Sequence, residues 1–170
     1  MPRLLSAKVA AFLLFLLALD LSVFPSLLGT IRPVTLYLFV VYVAFEWHWS
    51  KTFMAALMTG LLRDAMTLQP FGVETAALFL ASLGLNFYVQ KISSTSWTGK
   101  WIGTFFFVLG VFFLVGTLTH AMSQDLVFSW IQVRLALWIS FWTSCFMPVF
   151  FFLANRWFKK DFSLVHYPYS

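Results

Sequence analysis

The longest run without a charged residue decides which solvent this chain can fold in. Residues 101–124 contain no Asp, Glu, Lys or Arg, and 21 uncharged residues separate Arg134 from Arg156. A helix needs about 20 mainly apolar residues to cross the hydrocarbon core of a bilayer. The composition agrees, because 61% of the 170 residues are hydrophobic and only 10% are charged. These few charges cannot cover a water-soluble globule, so the sequence predicts an integral membrane protein.

Apolar stretches long enough to span a membrane occur six times along the chain. We predict an all-α membrane protein, a six-transmembrane-helix bundle that forms one integral membrane domain over residues 1–170. The predicted spans cover about residues 9–28, 33–46, 52–68, 72–90, 101–120 and 130–157. Pro25 and Gly29 close the first span, Pro33 opens the second and Pro70 follows the third, as expected for residues that interrupt or begin helices.

The basic residues indicate the orientation of this bundle. With six spans, eight of the 11 Lys and Arg residues fall on the side of the N-terminus: Arg3, Lys8, Lys51, Lys91, Lys100, Arg156, Lys159 and Lys160. Lys and Arg concentrate on the cytoplasmic side of membrane proteins. We therefore expect both termini in the cytoplasm and interpret the net charge of +5 as an orientation signal rather than a nucleic-acid-binding surface. The alternative for the first span is a cleavable signal peptide, but no small-residue cleavage site follows Leu19.

Five charged residues lie in the outer half of the predicted spans. Asp20 and Asp64 both lie about 18 Å from the cytoplasmic ends of their helices, and Arg63, Glu74 and Arg134 add three more charges. Charges inside a bilayer are costly and usually functional. We expect a polar cluster between helices that fixes the bundle or receives a polar group of a partner. The alternative is structural pairing, with Arg134 bound to a carboxylate and Arg63 extending to the outer surface.

Small residues on the fifth span predict close helix packing. Gly99 and Gly103 form a GxxxG pattern, and Gly110 follows seven residues later. Glycines allow helices to approach closely in lipid, and we expect packing within the chain rather than dimerisation. The sequence contains no HExxH, GxSxG or CxxC motif, and Cys145 is its one cysteine. We therefore predict no enzyme activity, no cofactor and no metal site.

The central third of the chain carries a family resemblance. The run from Pro33 through Leu36 and Tyr42 to Phe45 is followed by Gly60-Leu61-Leu62-Arg63-Asp64 and then by Pro70-Phe71-Gly72. In this order and spacing, residues 20–90 resemble MreD, the multi-span inner-membrane family of the bacterial rod-shape machinery. That family has a Pro-Asp-Leu-like opening of a span, a Gly-Leu-Leu-x-Asp pattern and then Pro-Leu-Gly. Val34 stands where the family often has an acidic residue, so no role of that carboxylate carries over.

The resemblance implies a non-enzymatic scaffold of the elongation complex in the bacterial inner membrane. Its implied partner is MreC, a single-span protein, and through MreC it would help couple MreB filaments to the cell-wall synthases. The resemblance and the charge pattern together give one set of partner-binding or bundle-stabilising residues: Asp20, Gly60, Arg63, Asp64, Pro70, Gly72, Glu74 and Arg134.

A second function follows from the fold that the resemblance implies. The family is similar to the six-helix substrate-binding subunits of energy-coupling-factor vitamin transporters. Such a subunit needs a deep outward-facing pocket with polar anchors, which the outer-half charges could supply. A scaffold needs instead an outward groove or helix face that binds protein. A vitamin-binding transporter subunit is therefore the alternative to the scaffold.

Overall fold

The described part of the chain is helical throughout. The computed structural model describes residues 2–23, 33–67, 70–91, 96–123 and 130–162. These residues form α1 (Pro2–Ala18), α2 (Thr35–Glu46), α3 (Trp49–Asp64), α4 (Val73–Lys91), α5 (Trp97–Ser123) and α6 (Trp130–Phe162). A π-helical turn, Leu19–Val23, continues α1. No strand occurs among the described residues, so the predicted all-α fold is confirmed.

Two helices are long and apolar enough to cross a membrane. They are Trp97–Met122 of α5 and Trp130–Phe158 of α6. By contrast α2 has only 12 residues, a rise of about 18 Å. Among the described residues, length and composition therefore make the C-terminal pair candidates for crossing a membrane.

The centre of the molecule is α2. Every residue from Thr35 to Ala44 is buried, and α2 contacts each of the other five helices. A helix that is apolar all round is stable only when neighbours cover every face. Consecutive helices from α3 to α6 also pack against one another, so the bundle is built around α2.

Aromatic rings hold α1 and α6 against this centre. The Phe12 ring on α1 lies 5.2 Å from that of Phe158 and 5.9 Å from that of Phe150, centroid to centroid. Tyr42 on α2 lies 5.2 Å from Phe151, and its hydroxyl hydrogen-bonds Asn155 Oδ1 at 3.0 Å. Offset and edge-to-face ring pairs of this kind add stability beyond the area they bury. They fix the N-terminal helix against the C-terminal one.

The helix ends differ from the predicted span ends for physical reasons. The first helix begins at Pro2 rather than at residue 9, because a polar first turn can be helical without being apolar. Residues 24–28 of the predicted first span lie outside the described residues. The third helix covers Trp49–Asp64 instead of residues 52–68: the backbone N–H groups of Met66 and Thr67 both donate to the Arg63 carbonyl, which closes the helix in a turn. Hydropathy locates apolar runs but not helix ends.

Candidate functional site

The start of α4 is held by the carboxylate of Asp64, the last residue of α3. Asp64 Oδ1 accepts from the Glu74 backbone N–H at 2.9 Å, and Oδ2 accepts from the Thr75 backbone N–H at 3.1 Å. The Thr75 hydroxyl also donates to Oδ2. The first N–H groups of a helix have no partner within it, and the helix dipole favours a negative charge there. One side chain thus connects two helices, and we name this contact the α3–α4 joint.

The start of α2 is held in the same way by Asp20, which lies in the π-helical turn after α1. Asp20 Oδ1 accepts from the Thr35 backbone N–H at 3.0 Å and from the Thr35 hydroxyl at 2.7 Å. Its Oδ2 accepts from the Leu36 backbone N–H at 3.3 Å. We name this contact the α1–α2 joint. Both joints use one carboxylate, two consecutive backbone N–H groups and one threonine hydroxyl.

Both helices need a cap from elsewhere because the residue before each cannot supply one. Val34 precedes α2 in an extended conformation and makes no side-chain cap hydrogen bond. Gly72 precedes α4 and has no side chain. Ser, Thr, Asp or Asn at this position normally caps its own helix. Here Asp20 and Asp64 supply that function from the preceding helix.

An ion pair connects the two joints. Arg63 donates to both carboxylate oxygens of Glu74, with Nε at 2.7 Å and Nη2 at 3.2 Å. Its guanidinium lies over the ring of Tyr37 on α2, 5.2 Å from the centroid, and Asp20 caps the same helix at Thr35. The expectation that Arg63 extends to the outer surface is therefore replaced by a bidentate pair with Glu74. Arg63 and Asp64 do not pair with each other: Arg63 binds the Glu74 carboxylate, whereas Asp64 accepts from the backbone N–H groups of Glu74 and Thr75.

The resulting polar cluster consists of Asp20, Arg63, Asp64 and Glu74 with Thr35, Tyr37 and Thr75, and all of its members except the half-buried Arg63 and Thr75 are buried. The side chains of three carboxylate residues, Asp20, Asp64 and Glu74, are only 7%, 4% and 3% exposed. Buried charges are tolerated when they are paired and hydrogen-bonded, and here they satisfy one another. The geometry therefore suits fixing four helices together. The largest exposed surface next to the cluster belongs to its neighbours, such as Phe71, which is 72% exposed.

Two glycines of the central motifs shape the α3–α4 joint. A Cβ on Gly60 would lie 2.5 Å from Thr75 Cα, so the absence of a side chain allows the two helices to approach closely. Gly72 has a φ of +96°, which L-residues rarely adopt. Pro70 is exposed, and its carbonyl accepts from the Val73 backbone N–H at 3.3 Å. These residues form a tight connection that turns the chain back into α4.

The glycines of α5 have different surroundings. A Cβ on Gly103 would lie 2.8 Å from Tyr88 Cε1, and the Gly99 carbonyl accepts from the Tyr88 hydroxyl at 3.0 Å. Both glycines therefore lie where α5 packs on α4. A Cβ on Gly110 would meet nothing within 4 Å, so this position is not a close contact.

Arg134 is separated from the polar cluster. It lies exposed on α6 and forms no ion pair with any carboxylate that the structure describes. The structure thus joins Arg63, Asp64 and Glu74 directly and links Asp20 to them through α2, and it leaves Arg134 at the surface. This difference arises because Arg134 lies on an exposed face of α6. The depth of a residue along its helix does not determine the face on which its side chain lies.

Sequence reasoning did not find the donors of the two joints. Thr35 and Thr75 each give both a backbone N–H and a hydroxyl to an aspartate, and Tyr37 bridges the ion pair. The available signal is a helix start with a residue that cannot cap it, followed within three positions by a threonine. The starts of α2 and α4 both have this pattern, but it does not show which carboxylate accepts their hydrogen bonds.

Among the described residues, no three His, Cys, Asp or Glu side chains lie close enough together to hold a metal ion.

Compared with known proteins, the chain matches no family model, and no curated protein or solved structure matches it either.

Proposed function

We propose that this protein is a non-enzymatic, six-span scaffold of the bacterial elongation complex, located in the inner membrane with both termini in the cytoplasm. In this proposal it binds a single-span MreC-like protein and thereby helps couple MreB filaments to cell-wall synthesis. The scaffold has no catalytic centre, and its function is to hold a membrane partner.

One observation carries the proposal. Two of the three runs that carry the MreD resemblance, Gly60–Asp64 and Pro70–Gly72, occupy a single structural element, the α3–α4 joint. Gly60 permits the close approach, Asp64 caps α4 and Gly72 adopts the positive φ that turns the chain. Residues that are separate in the sequence thus build the same helix–helix connection. This supports the interpretation that they belong to one family pattern and do not match it by chance.

The buried cluster directs attention to the rim around it as the partner surface. Phe71 and Met66 are exposed large apolar residues beside the α3–α4 joint, 72% and 43% exposed. In the proposed topology they lie at the outer surface, where a partner's span leaves the membrane. Association of helices in lipid depends on close packing together with satisfied polar groups. We therefore place the partner contact at Met66 and Phe71, with Arg134 as a polar candidate on α6.

Site-specific photocrosslinking in native membranes tests this proposal. A photoreactive amino acid is placed in turn at Met66, Phe71 and Arg134, and at Phe87 as a control. Phe87 is 67% exposed on α4 but lies away from the α3–α4 joint in the sequence. We expect capture of a one-span protein from Phe71 and Met66 and not from Phe87. Equal capture from all four positions, or none, contradicts the proposed surface.

The same preparation separates the scaffold from the vitamin-transporter subunit. The carboxylates that could anchor a vitamin are occupied by Thr35, Arg63 and Thr75. Purification from native membranes is expected to yield the one-span partner. Recovery of a bound vitamin or an ATPase module instead would establish the transporter subunit. A fluorescent-protein fusion at Ser170 that stays dark would contradict the proposed topology.

A further inference from the structure

An open apolar groove runs along the side of the bundle between α1 and α3. It encloses about 690 Å³ and has α2 as its floor, where Phe39 and Val43 lie. Leu14 on α1 and Met54 and Met58 on α3 form its walls, and these three side chains are more than half exposed. We name it the lateral groove. Unbranched methionines can adapt to an irregular apolar ligand.

The length of the lateral groove corresponds to one leaflet of a bilayer. Along α3 its lining extends from Lys51 to Leu62, a helical rise of about 16 Å. The whole hydrocarbon core is about 30 Å thick, so one leaflet is about 15 Å. A partner's spanning helix would extend far beyond the groove at one end. A lipid acyl chain of a single leaflet would fill it.

One end of the lateral groove carries a positive charge. Among the described residues that line it, Lys51 is the one with a charge. Its side chain is exposed, with Nζ 5.1 Å from the centroid of the Trp47 ring, and no described carboxylate forms an ion pair with it. Tryptophan and lysine together are typical of the headgroup region. The lining at the other end of α3 is apolar and consists of Leu61 and Leu62.

We propose that the lateral groove binds an acyl chain of an anionic phospholipid from the leaflet at the Lys51 end, with the lipid phosphate beside the Lys51 ammonium. In the proposed topology this is the cytoplasmic leaflet, whose anionic lipids attract basic residues near the surface. The inference depends on the membrane placement in the proposed function but not on the identity of its protein partner.

Native mass spectrometry of the detergent-purified protein tests the proposal. Phosphatidylglycerol and phosphatidylcholine with identical acyl chains are titrated separately. We expect tighter binding of phosphatidylglycerol, and an approximately fivefold loss of that preference in Lys51→Gln. Lys91→Gln is the matched control, because Lys91 is also exposed and basic on the predicted cytoplasmic side but lies outside the groove. Equal binding of the two lipids, or equal loss in both variants, overturns the proposal.

A second pair of variants tests the site of the acyl chain. Ala10 is an exposed residue that lines the lateral groove, and Ala10→Trp should fill it and weaken binding of both lipids. Ala76→Trp introduces the same side chain at an exposed position of α4 and should leave binding unchanged. Thermal unfolding of both variants shows whether either has lost its fold. If folded Ala10→Trp protein binds lipid as well as the wild type, the groove is not the site.

Photocrosslinking from Met58, with the mass of the product as readout, identifies the occupant directly. A product heavier by one phospholipid supports the proposal. A product of twice the chain mass, or one with another protein, overturns it in favour of a second copy or a partner helix. Resistance of the chain to alkaline extraction from membranes is measured in parallel. Extraction would mean that the membrane placement itself had failed, whereas a retained chain without bound lipid rejects only the lipid site.

Discussion

The two joints perform the same chemistry in different surroundings. In each, an aspartate at the end of one helix accepts two backbone N–H groups and a threonine hydroxyl at the start of the next. The α3–α4 joint connects neighbours separated by eight residues, and Gly60 and the Arg63–Glu74 pair support it locally. The α1–α2 joint depends on more distant parts of the chain: the Val34 backbone N–H donates to Thr143 Oγ1 on α6 at 3.2 Å.

This difference in how the two joints are supported shows when a structural contact can be recognised as a sequence pattern. The α3–α4 joint is assembled from residues 60–75, so its glycines and its aspartate form a compact motif. The α1–α2 joint also requires a buried aspartate, here Asp20, but its supporting residues are spread over α1, α2 and α6. In the sequence Asp20 therefore appears as an isolated acid in an apolar run.

The largest effect is expected from Asp64→Ala. This change leaves two backbone N–H groups and a threonine hydroxyl without their acceptor, and unsatisfied buried groups cost about 1–3 kcal/mol each, less any relaxation. With three groups affected, we expect a loss of about 3 kcal/mol in the free energy of unfolding, the lower end of their summed cost. The measurement is thermal unfolding in detergent, followed by the helical circular dichroism signal.

Asp125→Ala removes a carboxylate outside the described residues and is the control for Asp64→Ala. A loss of stability as large as that of Asp64→Ala would show that net charge rather than the cap is responsible. Glu74→Gln distinguishes the cap from the ion pair, since it removes the negative charge that pairs with Arg63 but keeps the backbone N–H that Asp64 accepts. We expect it to be milder than Asp64→Ala.

Asp20→Ala is expected to cost less, about 2 kcal/mol. The Thr35 hydroxyl lies 3.3 Å from the Leu16 carbonyl and can donate there once the carboxylate is removed, so one fewer group is left unsatisfied. Comparison of the two alanine variants by the same unfolding measurement ranks the joints. A larger loss for Asp20→Ala than for Asp64→Ala would contradict this ranking.

Val34→Asp sharpens the comparison further. Val34 has φ −100° and ψ 94°, the extended conformation from which an aspartate can cap its own helix. Alone, the substitution places a second carboxylate beside Asp20 and should destabilise the protein. Combined with Asp20→Ala it should recover about 1 kcal/mol. The same substitution in the Asp64→Ala background is the control and should give no recovery.

Gly60→Ala tests the close approach that only the α3–α4 joint requires. The new methyl group would lie 2.5 Å from Thr75 Cα, which is backbone and cannot move away alone. We expect a loss of about 2 kcal/mol, as for overpacked cores. Gly84→Ala is the matched control on α4: nothing lies within 4 Å of its Cβ position, and the alanine should stabilise the helix by about 0.5 kcal/mol. Effects of the same sign at both sites would refute the steric explanation.

The sequence predicts the helices of this protein better than it predicts the contacts between them. Apolar runs place all six helices, because burial in a bundle or in lipid requires continuous hydrophobicity. They miss the ends: α5 extends over Trp97–Ser123 and α6 to Phe162, beyond residues 120 and 157. Polar terminal turns can be helical without an apolar pattern.

The candidate site was predicted in part. Equal depth along the helices predicts that Asp20 and Asp64 lie together; the structure has Asp64 beside Arg63 and Glu74, and Asp20 linked to them through α2. Depth says nothing about the direction of a side chain around its helix, so Arg134 was grouped with them although it lies exposed on α6. The pairing of each aspartate with a helix start 10 to 15 residues away depends on tertiary packing, which a local pattern does not contain.

The smallest effect is expected from Gly72→Ala, which isolates backbone strain from packing. Gly72 has φ +96°, and a Cβ there would meet nothing within 4 Å. An alanine forced into this region should cost about 1 kcal/mol. Asparagine tolerates positive φ better than alanine, so Gly72→Asn should be less harmful despite its larger side chain. If the loss of stability grows with side-chain size instead, the space around Gly72 restricts the residue at this position. The α3–α4 joint would then differ from the α1–α2 joint by its packing and not by the positive φ of its turn.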